Sequence, residues 1–357
     1  MISISLCMIV KNEEDVLARC LDSAKDIVDE IIIIDTGSTD NTKNIAKEYT
    51  DNVYDFLWID DFSAARNFAF SKAISSHIMW LDADDVILEE DKQKLLKMKN
   101  EISSNVDVIM LKYNTAFDEN GNVTFSYYRE RIIRNCTSAI WQGKVHEVIT
   151  PFGNIIREDI AVTHKKEKIS DSKRNLNIFE KAVKEGEILN PREKFYYARE
   201  LYYDNQMELA IKMFEEFLNE GNGWIENNIE ACRFISYAYY SLNKEEKALR
   251  ALFRSLEYDR PRAETCCDIG KHFFDRNNYH IASFWYETAL NEKRNDENGG
   301  FILIDCYGYL PCIQLCVCNY YLGNIQKAIE YNEKAGIYKP LDSIYLTNKE
   351  FLESIQN

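Results

Sequence analysis

The sequence predicts an open α/β sheet domain followed by an all-α helical repeat domain. Three observations carry that prediction. Apolar runs of strand length alternate with amphipathic helical patterns in the first half, the rhythm of a sheet flanked by helices. Strand signals stop near Asp171, and long amphipathic helices then follow one another to the end. At 357 residues the chain exceeds the roughly 250–300 residues at which single cores stop growing. Two domains are therefore expected, residues 1–170 and 171–357.

Taken in order, residues 2–9 alternate and then fill with apolar side chains, a strand whose carboxyl end is the loop Val10-Lys11-Asn12-Glu13-Glu14. Val16, Leu17, Cys20, Leu21 and Ala24 give the next stretch helical spacing. Glu30-Ile31-Ile32-Ile33-Ile34-Asp35 holds four consecutive isoleucines, which means a strand covered on both faces, as parallel sheets require. Gly37 makes the turn, and Ser38, Thr39 or Asp40 can cap the helix that runs to about Tyr49. Asp60-Asp61-Phe62-Ser63-Ala64-Ala65-Arg66 opens another helix with Ser63 as its expected cap. That start puts Arg66 in the first turn, where a cation opposes the helix dipole. Contact with a phosphate or base would explain it, and so would an ion pair with Asp60 or Asp61.

Ile78-Met79-Trp80-Leu81-Asp82-Ala83-Asp84-Asp85 is an apolar strand that ends in three carboxylates within four residues. Bunched acids repel, and a hard divalent cation, Mg²⁺ or Mn²⁺, compensates them and carries phosphates in turn. Residues i and i+2 leaving a strand point the same way, so Asp82 and Asp84 are expected to reach one site together. A calcium loop is excluded because Val86 and Ile87 stand where a ligand and a glycine are needed. Ligands of open α/β sheets bind beyond the carboxyl ends of the strands. Lys11–Glu13, Asp35–Asp40 and Asp82–Asp85 all lie at such ends and define one rim.

Further strands follow at residues 106–112, 113–117 and 123–128, with Asp118-Glu119-Asn120-Gly121-Asn122 as a hairpin turn and residues 129–134 continuing the sheet. Trp141-Gln142-Gly143-Lys144-Val145-His146-Glu147 gathers a tryptophan, a histidine and a carboxylate. Residues 160–164 form a last strand ending in His164, and Lys165 and Lys166 after it read as a phosphate-facing loop or as plain surface.

In the second half, Ala210, Ala248, Ala282 and Ala328 recur in similar settings at spacings of 38, 34 and 46 residues. A helix–turn–helix period of about 34 residues with a small residue near the start of the second helix is the tetratricopeptide pattern. The polar segment at residues 291–300 lengthens the third spacing. Such repeats build a binding surface and rarely perform chemistry.

Composition narrows the partners. A formal charge of −16 argues against nucleic acid and anionic membranes. No stretch approaches the roughly 20 apolar residues of a membrane span, and residues 1–10 lack the basic start and cleavage site of a signal peptide. The ten cysteines include several inside apolar periodic segments, which suits small buried hydrophobes in a reducing cytoplasm. Cys312, Cys316 and Cys318 lack the second ligand pair of a zinc site.

Met8-Ile9-Val10-Lys11-Asn12-Glu13, Ile34-Asp35-Thr36-Gly37-Ser38-Thr39-Asp40, Phe62-Ser63-Ala64-Ala65-Arg66-Asn67, Trp80-Leu81-Asp82-Ala83-Asp84-Asp85 and the Trp141–Glu147 segment together resemble the family 2 glycosyltransferases of the GT-A fold. More narrowly they resemble the branch with a tetratricopeptide tail that includes sublancin-type peptide S-glycosyltransferases. The resemblance implies a GT-A nucleotide-sugar-binding domain with a mixed sheet, and an inverting, metal-dependent transfer from a nucleotide-sugar donor such as UDP-glucose. It implies that Val10, Lys11, Asn12 and Glu13 line the nucleoside pocket and that Asp35 meets the uracil or ribose. Arg66 would face the base or diphosphate, with Asp82, Ala83 and Lys165 completing the donor site. Asp84, with Asp82 and His164, would hold the Mg²⁺ or Mn²⁺ of a DxD motif. Glu147 is the expected general base, Asp85 the second choice, and His146 its orienting partner or co-base. Trp141 offers either a flat face for a sugar ring or core packing. The repeats are expected to hold a peptide or protein acceptor, modified on Cys, Ser or Thr, or to form a homodimer. Relatives acting on cell-envelope glycans or glycolipids leave that acceptor class open as well. Two rivals remain: a scaffold with an inactive sheet domain, and a phosphotransferase with an aspartate at a strand end, whose nucleophile belongs on the first strand.

Overall fold

The computed structural model describes residues 1–165, 173–296 and 299–355. The chain folds as two compact units, one of residues 1–117 and 126–189, the other of residues 118–125 and 190–357. The boundary drawn from sequence at residue 170 lies outside the described residues, as does Lys166.

The first unit runs β1 (Ile4–Val10), α1 (Leu17–Ala24), β2 (Glu30–Asp35), α2 (Thr42–Tyr49), β3 (Val53–Asp55), α3 (Phe62–Phe70), β4 (His77–Trp80), β5 (Asp85–Val86) and α4 (Glu89–Glu101). It continues through β6 (Val108–Phe117), β7 (Val123–Arg134), β8 (Trp141–Gln142), β9 (Val148–Ile149), β10 (Ile155–His164) and α5 (Arg174–Lys184). Eight strands form one mixed sheet in the order β3-β2-β1-β4-β7-β6-β10-β5, and β8 pairs with β9 separately. The core strands β1, β2 and β4 are parallel neighbours, so their carboxyl ends open on one rim. Ile32, Ile33 and Ile34 are wholly buried, as a strand covered on both faces must be. Leu17, Cys20, Leu21 and Ala24 bury one stripe of α1 in the same core.

Two local expectations are corrected. Asp61, not Ser63, caps α3: its carboxylate accepts from the backbone N–H of Ala64, and Ser63 sits inside the helix donating to Asp61. Aspartate offers two acceptor oxygens to the free N–H groups, which serine two residues later cannot reach. Arg66 therefore lies a full turn into the helix. The last strand is also longer than expected, because pairing of β10 with β6 starts at Ile155 and passes an irregularity between Glu158 and Ala161.

The second unit stacks helix pairs: α6 (Pro191–Tyr203) with α7 (Met207–Glu220), α8 (Ile225–Ser241) with α9 (Glu245–Arg254), α10 (Ala263–Phe274) with α11 (Tyr279–Asn291), and α12 (Tyr309–Tyr321) with α13 (Ile325–Tyr338). α14 (Ser343–Ser354) ends the array. Ala210, Ala248, Ala282 and Ala328 are wholly buried, each in the first turn of a second helix, where a larger side chain would push its partner away. Asn205, Asn243, Asn277 and Gly323 precede those helices with left-handed backbone, which asparagine and glycine adopt at least cost. The arrangement is tetratricopeptide-like, as the alanine spacing predicts. Among the described residues no helix is long and apolar enough to cross a membrane. All ten cysteines are free thiols, with only Cys136 exposed.

Candidate active site

The loops after β1 and β2 are laced together at the rim. Asn12 adopts left-handed backbone (φ 56°), which turns its side chain so that Oδ1 accepts from the N–H of Thr39 at 2.7 Å. The N–H of Asn12 donates to Ser38 Oγ at 2.9 Å, and that of Glu13 to Thr42 Oγ1 at 2.7 Å. Asp35, paired with Val10 in register, is buried. Its Oδ1 accepts from the N–H groups of Gly37 and Ser38 at 2.9 Å each, while its Oδ2 is buried with no hydrogen-bond partner among the described residues. A buried acceptor left unsatisfied costs about 1–3 kcal/mol, so this oxygen favours a ligand that brings an N–H or O–H. Val10 and Ala83 bury their side chains in the core and can offer a ligand only backbone, whereas Lys11 and Lys165 are exposed.

At the end of β4 the chain makes a turn, with the N–H of Asp85 donating to the carbonyl of Asp82 at 3.0 Å. Strand alternation therefore no longer applies, and Asp82 and Asp84 part company. This corrects the expectation that both reach one site. Asp82 Oδ1 accepts from Arg66 Nη2 at 2.7 Å, and Arg66 Nε donates to Glu147 Oε1 at 2.6 Å. Burial alone would push the Asp82 carboxyl up, but Arg66, then Arg131 and Arg129, outweigh it and hold it down at about 2. Arg66 is buried and lies about 5 Å from the Trp80 and Trp141 ring centroids, at 5.0 and 4.9 Å. Trp141 is itself buried against Trp80 and Phe70, a packing role that leaves no open face for a sugar. His146 takes left-handed backbone (φ 53°) in the β8–β9 loop. That conformation costs about 1 kcal/mol or more for a non-glycine residue and bends the chain where it delivers Glu147 to Arg66.

Asp84 goes the other way. Antiparallel pairing of β5 with β10 sets His164 opposite Asp85, and His164 Nδ1 lies 3.3 Å from Asp84 Oδ1, 3.6 Å from Asp85 Oδ1 and 3.1 Å from Tyr113 Oη. Ligand atoms of Asp84, Asp85 and His164 lie within 4.8 Å of one another, and among the described residues these form the one group able to hold a metal ion. Carboxylate oxygen and imidazole nitrogen suit Mn²⁺ and tolerate Mg²⁺, so the residue types fit the cation that the sequence implies. Asp82, expected among the ligands, is replaced in this group by Asp85. Asp85 in turn is wholly buried and bridged to Arg131 at 3.0 Å, which removes it from consideration as a base for a substrate.

His164 is pushed up to about 10 by hydrogen bonding to Asp84 and then to Asp85, so it is a cation at neutral pH. A metal-ligating imidazole must be neutral, and cation binding here has to displace that proton. Mn²⁺ uptake at pH 8 is expected to release about one proton, read from the dependence of the calorimetric heat on buffer ionisation enthalpy. Uptake without proton release would remove His164 from the ligand set. The sign for folding follows from the same raised value. His164 stabilises the metal-free protein fully below its ordinary 6.5 and loses that contribution as pH rises through about 10.

The structure thus gathers Asn12, Glu13 and Asp35 on one side of the rim, Arg66, Asp82 and Glu147 in a second cluster, and Asp84, Asp85 and His164 in a third. Sequence reasoning missed Tyr113, Arg129 and Arg131. Arg129 and Arg131 recur at i and i+2 in β7, a central strand where charged residues are out of place, and that was the signal available.

Residues 5–161 match the family described as glycosyl transferase family 2. The chain is similar to a TPR repeat-containing protein of Synechococcus elongatus, 38% identical over 149 residues, which are 42% of this chain and 36% of that protein. It is also similar to the SPbeta prophage-derived glycosyltransferase SunS of Bacillus subtilis, 31% identical over 232 residues, covering 61% of this chain and 53% of that one. The chain thus spans from about a third to about half the length of these curated relatives. Among solved structures, a tetratricopeptide repeat protein from Parabacteroides merdae shares 15% identity over 52% of this chain and 67% of its own, with a TM-score of 0.40.

Proposed function

From a chain that joins a glycosyl transferase family 2 domain to tetratricopeptide-like repeats, we propose a metal-dependent inverting glycosyltransferase. It moves a hexose from a UDP-type donor to a peptide or protein side chain, a Cys, Ser or Thr. The observation that carries the reading is the Oδ2 of buried Asp35, which has no hydrogen-bond partner among the described residues and lies on the same rim as the Asp84–His164 pair. One end of that rim asks for a nucleoside donor group, and the other for a cation.

In this reading Asp35 Oδ2 accepts from the base or ribose, and the braced Asn12–Glu13 loop walls the nucleoside. Asp84 and His164 would hold Mg²⁺ or Mn²⁺, which when bound supplies positive charge to the departing diphosphate. Lys165 adds a second positive charge from solvent. The acceptor's oxygen or sulfur attacks the anomeric carbon from the face opposite the diphosphate. The bond to the diphosphate oxygen breaks with its electron pair, and the acceptor proton passes to Glu147. Arg66 keeps Glu147 and Asp82 in place, and its charge is secure: Asp82 and Glu147 more than offset the burial that would pull it down. The likeness to a glycosyltransferase and to a TPR repeat-containing protein supports the acceptor class, as does the tetratricopeptide-like unit, a kind of repeat that builds binding surfaces.

Calorimetric titration with UDP-hexoses tests the donor half. Binding is expected only with Mn²⁺ or Mg²⁺ present, and Asp35→Ala is expected to weaken it by about tenfold, the worth of one buried hydrogen bond to a ligand. Equal binding by Asp35→Ala and the wild type would remove that residue from the donor site. Binding to neither would favour a scaffold.

A further inference from the structure

We propose that Arg131 is a positioning residue that withholds Asp85 from a bound divalent cation, so that Asp84 and His164 remain the protein's ligands. The inference rests on the metal-dependent reading above and concerns how that site is tuned.

Arg131 is wholly buried on β7, next to β4 in the sheet. Its Nη1 donates to Asp85 Oδ2 at 3.0 Å and to the Trp80 carbonyl at 3.2 Å. The guanidinium lies 3.8 Å from the Trp80 ring centroid and 4.3 Å from that of Tyr113, so it is clamped between two aromatic faces. Its Nε and Nη2 are buried with no hydrogen-bond partner among the described residues. Stability does not explain such a residue. A buried ion pair with two idle donors is the kind that apolar side chains replace without loss.

What Arg131 does accomplish is to occupy Asp85. Asp85 Oδ2 also accepts from the N–H of Asp82 at 3.1 Å, and Oδ1 accepts from Tyr113 Oη at 2.9 Å. Both oxygens are engaged, and a countercharge sits 3.0 Å away. Asp84 differs: its side chain is 28% exposed, and its carboxylate faces His164 rather than a permanent cation. The consequence is electrostatic. A divalent ion held by two carboxylates would be neutralised by the protein alone. Held by one carboxylate and a neutral imidazole, it keeps a net positive charge for a diphosphate. Arg131 thereby makes the site weak for the bare ion and strong for the ion together with nucleotide.

Mn²⁺ binding, followed by electron paramagnetic resonance with and without UDP, tests this independently of turnover. Arg131→Met is expected to bind Mn²⁺ alone about tenfold more tightly than the wild type, because the opposing charge is gone and Asp85 is freed. The extra affinity that UDP brings should shrink correspondingly. A merely structural arginine predicts the reverse, weaker Mn²⁺ binding, and that result would overturn the proposal. Should Arg131→Met fail to fold, the paired variant Arg131→Met/Asp85→Asn, neutral at both positions, is read in its place. Mn²⁺ affinity within about twofold of wild type supports a non-ligand Asp85, and a loss of tenfold or more refutes it. Wild type that takes up no Mn²⁺ even with UDP would instead sink the metal-dependent reading itself.

Discussion

Asp84→Asn is expected to lower glycosyl transfer by about a hundred- to a thousandfold, or roughly 3–4 kcal/mol of transition-state stabilisation. The amide keeps the shape but removes the carboxylate that faces His164 without a permanent countercharge. Two effects oppose each other. The cation loses the charge of its carboxylate ligand, while His164, no longer held charged by Asp84, gives up its proton more easily; the lost ligand charge is the larger. Excess Mn²⁺ should recover part of the rate, since weakened binding can be overcome by concentration, while the charge missing from the ligand cannot. Asp82→Asn is the informative comparison. Its carboxylate belongs to Arg66, so Mn²⁺ affinity should stay within about threefold while the Arg66–Glu147 pair loosens. Initial rates from mass spectrometry of acceptor peptides, alongside Mn²⁺ titrations, check both. Asp84→Asn at full rate would end the assignment. Equal metal loss from Asp82→Asn would restore the paired ligand set that strand alternation suggests.

That contrast shows where the sequence is legible and where it stops. The parallel core is written in Ile31–Ile34, because four β-branched residues in a row leave no solvent face for a strand. The repeats are written in the buried alanines and in the asparagines and glycine that precede them, since helix pairs tolerate only small side chains at that crossing. The rim itself also follows from the pattern, because the carboxyl ends of parallel strands must lie together.

Direction is what the pattern lacks. Asp82 is turned away from Asp84 and Asp85 by a turn whose hydrogen bond from Asp85 to Asp82 breaks the alternation of the strand before it. Which carboxylate faces which cation then depends on Arg66 from α3, Arg131 from β7 and His164 from β10, elements far apart in the chain. Arg129 and Arg131 were visible as charges in a strand, but only the sheet order, with β7 inserted beside β4, tells that they lie under the acidic turn. Trp141 was open between a sugar platform and the core for the same reason. Its burial against Trp80 is a long-range fact.

Glu147→Gln is the second large effect, and its size depends on the acceptor. Glutamine preserves the hydrogen bond from Arg66 Nε to Oε1, 2.6 Å in the native protein, and so preserves the geometry of the pair. What it loses is the capacity to receive a proton. With a hydroxyl acceptor, whose proton must leave during attack, kcat is expected to fall by about a hundred- to ten-thousandfold. With a cysteine acceptor, whose thiol ionises near pH 8.5 unaided, the fall should be nearer tenfold and should close as pH rises from 7 to 9. UDP affinity should remain within about twofold in either case, because Glu147 is assigned to the acceptor proton and not to the donor. The same variant, assayed on matched Ser and Cys peptides, thus reports both the base and the bond being made. If UDP affinity collapses along with kcat, Glu147 acts by holding Arg66 for the donor, and the proton must leave by another route. An unchanged kcat on both peptides removes Glu147 from the chemistry altogether, and its salt bridge to Arg66 is then structural.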